Sequence, residues 1–298
     1  MKWIEQELVR RAREIDQMLT EFLPSENGYP PVIHQAMRYS VLAGGKRLRP
    51  ILVMAAAEAV GGNLRSVQPV AVALEFIHTY SLIHDDLPAM DNDDFRRGKP
   101  TCHKIFGEAA AILAGDALLT LAFEVLAKSA STFGSPPPSV ILQVIQEVAQ
   151  AAGTLGMIGG QVVDLESEGQ PIDEATLEYI HRHKTGALIR ASVRAGALFS
   201  GANSDDLADL TEYAEDFGLA FQIADDILDV VGDERKLGKP IGSDLRNKKS
   251  TFPSLYGLEQ SRKIAQDSVT RAVARLVRFG GRARFLKELV EHVIERDN

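Results

Sequence analysis

Residues 70–86 read VAVALEFIHTYSLIHDD, and this stretch decides the fold. Apolar side chains occupy almost every direction around it, which is typical of a helix that is buried on all sides. Pro88 disfavours helical geometry in Leu87, so the helix should end near Leu87. The sequence therefore predicts a buried helix that presents Asp85 and Asp86 at its C-terminal end.

Helical periodicity extends over the rest of the chain, and no stretch alternates convincingly with the period of two that indicates a strand. Further helices are predicted over residues 4–22, 51–60, 109–130, 140–152, 173–183, 185–200, 205–231, 261–278 and 283–295. We therefore predict an all-α fold, a single large helical bundle of ten or more helices around a central cavity.

The composition of the chain argues against several classes of protein. The chain has 298 residues, a formal charge of −8 and one cysteine, Cys102, which excludes an internal disulfide. The acidic balance argues against a nucleic-acid partner. Residues 1–7 lack a signal peptide's apolar core, and no uncharged run approaches the ~18 residues that span a bilayer. We expect one domain over residues 1–298, a cytoplasmic location and no membrane span.

A second acidic cluster reads QIADDILD over residues 222–229. Its Asp225, Asp226 and Asp229 share an arc of about 100° on one helix face. Both clusters lie near helix C-termini, where the helix dipole disfavours carboxylates and favours cations. Carboxylate donors point to several Mg²⁺ ions rather than zinc, held between two walls of one site. The alternative is that the aspartates are solvated or capping residues.

Basic residues recur beside these clusters. The loop Gly44-Gly45-Lys46-Arg47-Leu48-Arg49-Pro50 opens a helix, and Lys46 and Arg49 are suited to gripping a diphosphate. A solvated surface loop is the alternative. Arg96 and Arg97 follow the first cluster and either bind two anions or neutralise nearby aspartates.

Other polar residues leave two interpretations open. Lys184 joins two helices, and Lys239, Lys248 and Lys249 follow the second cluster; each is either an anion ligand or a solvated loop charge. His78 lies two turns before Asp85 and either binds an anion or is a core histidine. Gln161 and Asp164 interrupt an apolar stretch, either supporting the site or pairing two helices.

Taken together, these residues resemble the trans-isoprenyl diphosphate synthases, nearly from end to end. The aspartate pair 85–86 is separated from Asp91 by four residues, as in bacterial farnesyl diphosphate synthases. The stretches that carry the resemblance are residues 44–50, 84–101, 159–165, 181–188, 221–229 and 238–253.

The resemblance implies an all-α prenyltransferase, usually homodimeric, in which Mg²⁺ bridges an allylic diphosphate to Asp85, Asp91 and Asp225, with Asp86 and Asp229 as further ligands. It implies that Arg96, Lys184 and Lys249 stabilise the leaving diphosphate. The implied contacts for isopentenyl diphosphate are Lys46, Arg49, His78 and Arg97. The implied contacts for the allylic diphosphate are Arg96, Lys184, Thr185, Gln222, Lys239 and Lys249.

Product length is expected to depend on Tyr80, which lies five residues or about 7.5 Å before Asp85 on a helix. In this family a bulky residue there forms the floor of the product pocket, and Ser81 beside it is small. An aromatic floor favours a fifteen-carbon product. The alternatives are a geranylgeranyl or longer-chain synthase, a non-catalytic regulatory subunit, a diphosphate hydrolase and a terpene cyclase.

Overall fold

A computed structural model describes residues 2–131, 134–231 and 250–295 of the chain. These residues form helices almost throughout, as the sequence predicts. The helices are α1 (Trp3–Phe22), α2 (Pro31–Val41), α3 (Leu48–Val60), α4 (Gln68–Asp85), α5 (Cys102–Phe106), α6 (Glu108–Lys128), α7 (Pro138–Ala152), α8 (Met157–Glu166), α9 (Glu174–Ile180), α10 (Ala187–Phe199), α11 (Ser204–Val231), α12 (Phe252–Tyr256), α13 (Leu258–Arg275) and α14 (Arg284–Glu295).

Three details differ from the sequence prediction. A small antiparallel hairpin pairs β1 (Phe95–Arg96) with β2 (Lys99–Pro100), and strands of two residues are too short to show a period. A π-helical turn, His181–Gly186, joins α9 to α10 without the break expected around Lys184. The structure adds helices α2, α5, α8 and α12, which the sequence analysis does not predict; α5 and α12 have five residues each, and α8 contains Gly159 and Gly160.

The described chain forms two compact units. The first unit comprises Met1–Met54 and Leu64–Ile145, and its core is α4 packed along α6. Helix α4 buries apolar side chains in every direction, from Val70 to Ile83. Each buried leucine or isoleucine of this kind contributes roughly 1.5–3 kcal/mol of transfer free energy. The first acidic cluster therefore lies at the end of a helix that is buried on all sides.

The second unit comprises Ala55–Asn63 and Gln146–Asn298. Its core is α11 packed against α13 and α10. Leu177, Ile223, Ile227, Phe252 and Ala265 form one buried apolar cluster around the C-terminal half of α11. The second acidic cluster lies on this buried helix. The single-domain assignment for residues 1–298 stays a prediction.

Helix α6 is the one helix of the described residues that is long and apolar enough to cross a membrane by length and composition. Asp116 and Glu124 interrupt it, and Ala114, Gly115 and Leu118 are buried within the first unit. One such helix is weak evidence for a membrane span, because a buried core helix passes the same test.

Candidate active site

The first acidic cluster (Asp85, Asp86 and Asp91) forms where α4 ends. Asp86 is the C-terminal cap, and its backbone N–H donates to the Leu82 carbonyl at 3.1 Å. The chain then turns back, so that the Asp91 N–H donates to the Asp85 carbonyl at 2.8 Å. The predicted helix end is confirmed, and the turn places Asp91 beside it.

Arg96 binds the buried member of this cluster. Its Nε donates to Asp86 Oδ1 at 2.6 Å, and its Nη2 donates to Asp93 Oδ2 at 3.3 Å. Burial raises the pKa of the Asp86 carboxyl, and the hydrogen bond and charge of Arg96 oppose that rise. Asp94 pairs instead with Lys104 at 2.7 Å. Arg96 thus neutralises two aspartates in this structure, and its predicted substrate contact stays a prediction.

Arg97 is directed to the basic loop of residues 44–50. Arg97 and Gly98 form the hairpin turn, and both have positive φ, as a type I′ turn requires. The Arg97 Nη1 donates to the Gly44 carbonyl. A Cβ on Gly45 would lie 2.4 Å from Arg97 Cζ, so only glycine admits the guanidinium here. The structure therefore brings together two motifs that lie about fifty residues apart.

The same neighbourhood contains Arg49 and His78. Burial lowers the pKa of Arg49 to about 10. The negative charge of Glu75 opposes this decrease, and the positive charge of Arg97 adds to the decrease. Burial also lowers the pKa of His78 well below its usual range, helped by the charges of Arg49 and Arg97. Arg49 Nε is buried and has no hydrogen-bond partner among the described residues. An unsatisfied buried donor beside other cations is suited to an anion.

Lys46 is exposed on the basic loop, whereas the neighbouring Arg47 is 2% exposed. Arg47 donates to Glu75 Oε1, Asp16 Oδ1 and the Val41 carbonyl, each at 2.8 Å. Sequence reasoning missed Glu75. The available signal was a single carboxylate inside the apolar run of residues 70–83, but its partner lies 28 positions away.

Tyr80 is buried on α4, and its hydroxyl lacks a hydrogen-bond partner among the described residues. Burial, with a smaller contribution from Asp85, raises the pKa of Tyr80 to about 12. The ring packs edge-on against His84, with centroids 5.8 Å apart. Ser81 donates to the His78 carbonyl at 2.9 Å. Tyr80 is thus buried and neutral, one to two turns before Asp85 on α4.

The second acidic cluster (Asp225, Asp226 and Asp229) lies in the last two turns of α11. Asp225 is partly exposed, whereas Asp226 and Asp229 are buried. Asp226 Oδ2 accepts the backbone N–H of Phe252 at 2.9 Å and lies 3.5 Å from His181 Nε2. Asp226 therefore holds α12 against α11.

Gln222 contacts His181 in this unit: its Nε2 lies 2.9 Å from His181 Nδ1. Burial lowers the pKa of His181 to about 4; Asp164 opposes this shift and Lys184 adds to it. The ring is therefore neutral near pH 7. An Nδ1 that accepts from the Gln222 amide leaves the ring proton on Nε2, the atom nearer Asp226.

Lys184 lies in the π-helical turn, and its Nζ donates to Asp164 Oδ2 at 2.6 Å. A Cβ on Gly160 would lie 2.2 Å from the Lys184 backbone nitrogen, so glycine permits this close approach. Both side-chain polar atoms of Gln161 are buried without a hydrogen-bond partner among the described residues. Thr185 lies in the same turn. Lys239, Lys248 and Lys249 lie outside the described residues.

The carboxylates suit Mg²⁺ by donor chemistry. Among residues 2–131, 134–231 and 250–295, no three His, Cys, Asp or Glu side chains converge as a preformed cage. Mg²⁺ does not need one, because it usually takes one or two carboxylates and completes its shell with water and phosphate oxygens. Asp85, Asp91 and Asp225 are partly exposed and supply hard oxygen donors of that kind.

Comparisons with known proteins identify the class. The chain belongs to the polyprenyl synthetase family, which it matches over residues 30–278, and it is a trans-prenyltransferase. It is 48% identical over 299 residues to the farnesyl diphosphate synthase of Escherichia coli, covering 98% of each chain. It is 51% identical over 255 residues to that of Geobacillus stearothermophilus, covering 86% and 85%.

Other relatives differ in product. A geranylgeranyl diphosphate synthase of Cyanophora paradoxa is 47% identical over 292 residues, covering 98% of this chain and 96% of the relative. A solved FPP/GFPP synthase from Zymomonas mobilis superposes with a TM-score of 0.86 at 42% identity, covering 98% of each chain. The all-α isoprenoid synthase fold predicted from the sequence is thereby confirmed.

Proposed function

We propose that the protein condenses isopentenyl diphosphate with dimethylallyl diphosphate and then geranyl diphosphate, giving farnesyl diphosphate. The observation that carries the fifteen-carbon product is Tyr80, buried and neutral, about 7.5 Å before Asp85 along α4. An aromatic ring at that depth limits how far a growing chain extends. A geranylgeranyl or longer product is the second candidate, because the relatives include synthases of both kinds.

Lys46, Arg49, His78 and Arg97 are proposed to bind isopentenyl diphosphate. Arg97 lies over Gly45, and Arg49 has a buried Nε donor with no partner among the described residues. A neutral His78 still donates one N–H, because a neutral imidazole has one protonated nitrogen. A diphosphate would satisfy these donors and reduce the repulsion among the cations.

Asp85, Asp91 and Asp225 are proposed as the principal Mg²⁺ ligands, with Asp86 and Asp229 contributing less because both are buried. When bound, Mg²⁺ would neutralise charge on the allylic diphosphate. The proposed contacts for the allylic diphosphate among the described residues are Arg96, Lys184, Thr185 and Gln222. Lys239 and Lys249, which lie outside the described residues, are proposed contacts as well. A guanidinium has five N–H donors, so Arg96 can hold Asp86 and still donate to a phosphate oxygen.

The chemistry assigned to the chain is charge stabilisation and exclusion of water. Arg96, Lys184 and Lys249 stabilise charge on the departing diphosphate as the allylic C–O bond breaks. The double bond of isopentenyl diphosphate supplies the electron pair for the new C–C bond. The departing diphosphate accepts the proton that is lost, and apolar walls such as Tyr80 protect the cation from water.

The assembly proposed is a cytoplasmic homodimer, each chain acting as one domain. Its test is the mass in solution by analytical ultracentrifugation, where a dimer gives twice the 32.5 kDa of one chain. A single species at 32.5 kDa would contradict it.

The activity is tested by incubating the protein with Mg²⁺, isopentenyl diphosphate and dimethylallyl diphosphate, then identifying the dephosphorylated products by gas chromatography. Farnesol as the main product supports the proposal, and geranylgeraniol or longer alcohols support the second candidate. A cyclic hydrocarbon would indicate a cyclase. Inorganic phosphate without condensation would indicate a hydrolase, and no reaction would indicate a non-catalytic subunit.

A further inference from the structure

Glu75 is a carboxylate buried at the centre of a group of cations. It lies on α4 one turn before His78, and its side chain is 1% exposed. Oε1 accepts from Arg47, whereas Oε2 has no hydrogen-bond partner among the described residues. A buried carboxylate is costly unless cations compensate for it, so its position calls for an explanation beyond packing.

Arg47 connects Glu75 to the basic loop. Its backbone has a positive φ of 50°, which costs an ordinary residue about 1–2 kcal/mol. Its guanidinium is fixed by Glu75, by Asp16 on α1 and by the Val41 carbonyl. These three anchors hold the loop in a strained turn whose neighbours are Lys46 and Arg49.

Glu75 also acts electrostatically on the two arginines proposed to bind the diphosphate. Its charge raises the pKa of Arg49 and of Arg97, against the burial that lowers both. Arg47 and Arg97 repel each other, as do Arg49 and Arg97. A negative charge among them lets the guanidiniums stay close together and charged while no diphosphate is bound.

We infer that Glu75 is a positioning residue for isopentenyl diphosphate: through Arg47 it fixes the basic loop, and through its charge it keeps Arg49 and Arg97 together as one diphosphate-binding surface. This inference rests on the proposed function of that surface. Glu75 lies ten residues, or about 15 Å along the helix, before Asp85.

The test is Glu75→Gln in the full-length protein, which keeps the size and an acceptor but removes the charge. The dissociation constant for isopentenyl diphosphate, measured by calorimetry without an allylic substrate, should rise about tenfold or more, because Arg47 loses the charge of its buried partner and no longer fixes the loop. Loss of a negative charge by itself would strengthen anion binding, so a lower dissociation constant would also overturn the inference. Its KM should rise in parallel, while kcat and the allylic KM stay within about twofold.

Glu147→Gln is the matched control. Glu147 forms a bidentate pair with Arg194, at 2.8 and 2.9 Å, and neither residue is a proposed substrate contact. This variant should lose stability and keep the wild-type affinity for isopentenyl diphosphate. Unchanged affinity in folded Glu75→Gln overturns the inference, as does an equal loss of affinity in Glu147→Gln.

Asp16→Asn serves if Glu75→Gln does not fold, because Asp16 is half-exposed and holds Arg47 from the solvent side. Its dissociation constant for isopentenyl diphosphate should rise about threefold, and no change would overturn the positioning role of Arg47 and Glu75. If the wild-type protein itself binds no isopentenyl diphosphate, the proposed function fails instead. Calorimetry separates the two failures because it does not depend on turnover.

Discussion

Helices α4 and α11 each carry a pair of adjacent aspartates near the C-terminal end, and in each pair the two side chains differ in exposure. The first aspartate, Asp85 or Asp225, is partly exposed, and the second, Asp86 or Asp226, is buried. The second aspartates differ in what they bind. Asp86 is held by the charged Arg96, whereas Asp226 is held by a backbone amide near a neutral His181. In both clusters the buried second aspartate accepts a hydrogen bond from another element, and the first aspartate is the more exposed of the two.

The largest expected effect tests what the two clusters share. Asp85→Ala and Asp225→Ala should each lower kcat by about a thousandfold or more, because each removes a proposed Mg²⁺ ligand that stabilises leaving-group charge. The fold should persist by circular dichroism, since both side chains are partly exposed. Steady-state rates near the wild-type value in either variant would contradict the metal assignment.

The second prediction uses a position at which the helices differ. Five residues before the first aspartate, α4 has Tyr80 and α11 has Ala220. Tyr80→Ala should shift the main product from fifteen carbons to twenty or more, because removing a buried ring opens a cavity. The measurement is chain length by gas chromatography of the dephosphorylated products. An unchanged product would remove Tyr80 as the floor of the pocket.

The third prediction concerns stability at acid pH, where His181, near Asp226, titrates and Arg96, the partner of Asp86, does not. His181 has a pKa of about 4 in the folded protein, against about 6.5 unfolded, so the unfolded state binds its proton first. Stability from His181 is fully present above pH 6.5 and falls by about 3 kcal/mol as the pH drops toward 4. Arg96 stays charged throughout this range.

His181→Asn isolates this contribution in urea unfolding at several pH values. The loss of unfolding free energy between pH 7 and pH 4.5 should be smaller in the variant than in the wild type. Carboxylates and His78 contribute to both proteins and cancel in the difference. Identical pH dependence would show that His181 does not titrate as the burial requires.

The fourth prediction compares the buried aspartates directly. In the wild type the Phe252 N–H donates to Asp226 in a buried contact. Asp226→Ala removes that acceptor and should cost about 1–3 kcal/mol of unfolding free energy. Asp86→Ala should cost less, because the Arg96 side chain is 30% exposed and can turn to water. Urea titrations of the two variants check the order, and a larger loss in Asp86→Ala would reverse it.

The fifth prediction is the smallest and concerns two glycines of the basic loop. Gly44 and Gly45 both have positive φ, but only a Cβ at Gly45 meets the Arg97 guanidinium. Gly45→Ala should raise the KM for isopentenyl diphosphate about tenfold, because the new Cβ displaces the Arg97 guanidinium. Gly44→Ala should change this KM about threefold or less. Both variants share a backbone strain of about 1–2 kcal/mol, so the difference between them reports the contact with Arg97. Equal KM values would exclude the close approach as a requirement.

Much of the fold and the position of both clusters could be predicted from local sequence. The apolar run of residues 70–83 and Pro88 fix α4 and its end within one residue or two, because these signals act over a few positions. The hairpin could not be found this way, since two-residue strands have no period. Lys239 and Lys249 lie outside the described residues, so their roles stay predictions.

The partners of the site residues could not be predicted, because each pairing joins distant positions. Arg47 and Glu75 are 28 residues apart, Lys184 and Asp164 are 20 apart, and Gln222 and His181 are 41 apart. Residue type indicates that a charge needs a partner, but packing chooses the partner. Glu75, a single carboxylate in an apolar run, indicates that a cation must lie nearby. Only the folded chain shows that this cation is Arg47.

The hairpin has a consequence for which changes in chain length the protein tolerates. Exposed turns usually accept insertions and deletions. Here consecutive residues diverge: Arg96 binds Asp86, and Arg97 reaches Gly44. Arg96 lies at the end of β1 and Arg97 lies in the turn with a positive φ, so inserting or deleting one residue before Arg96 would shift both guanidiniums away from these partners. A surface turn that looks dispensable therefore fixes the positions of two arginines, and we expect it not to tolerate a single-residue insertion or deletion.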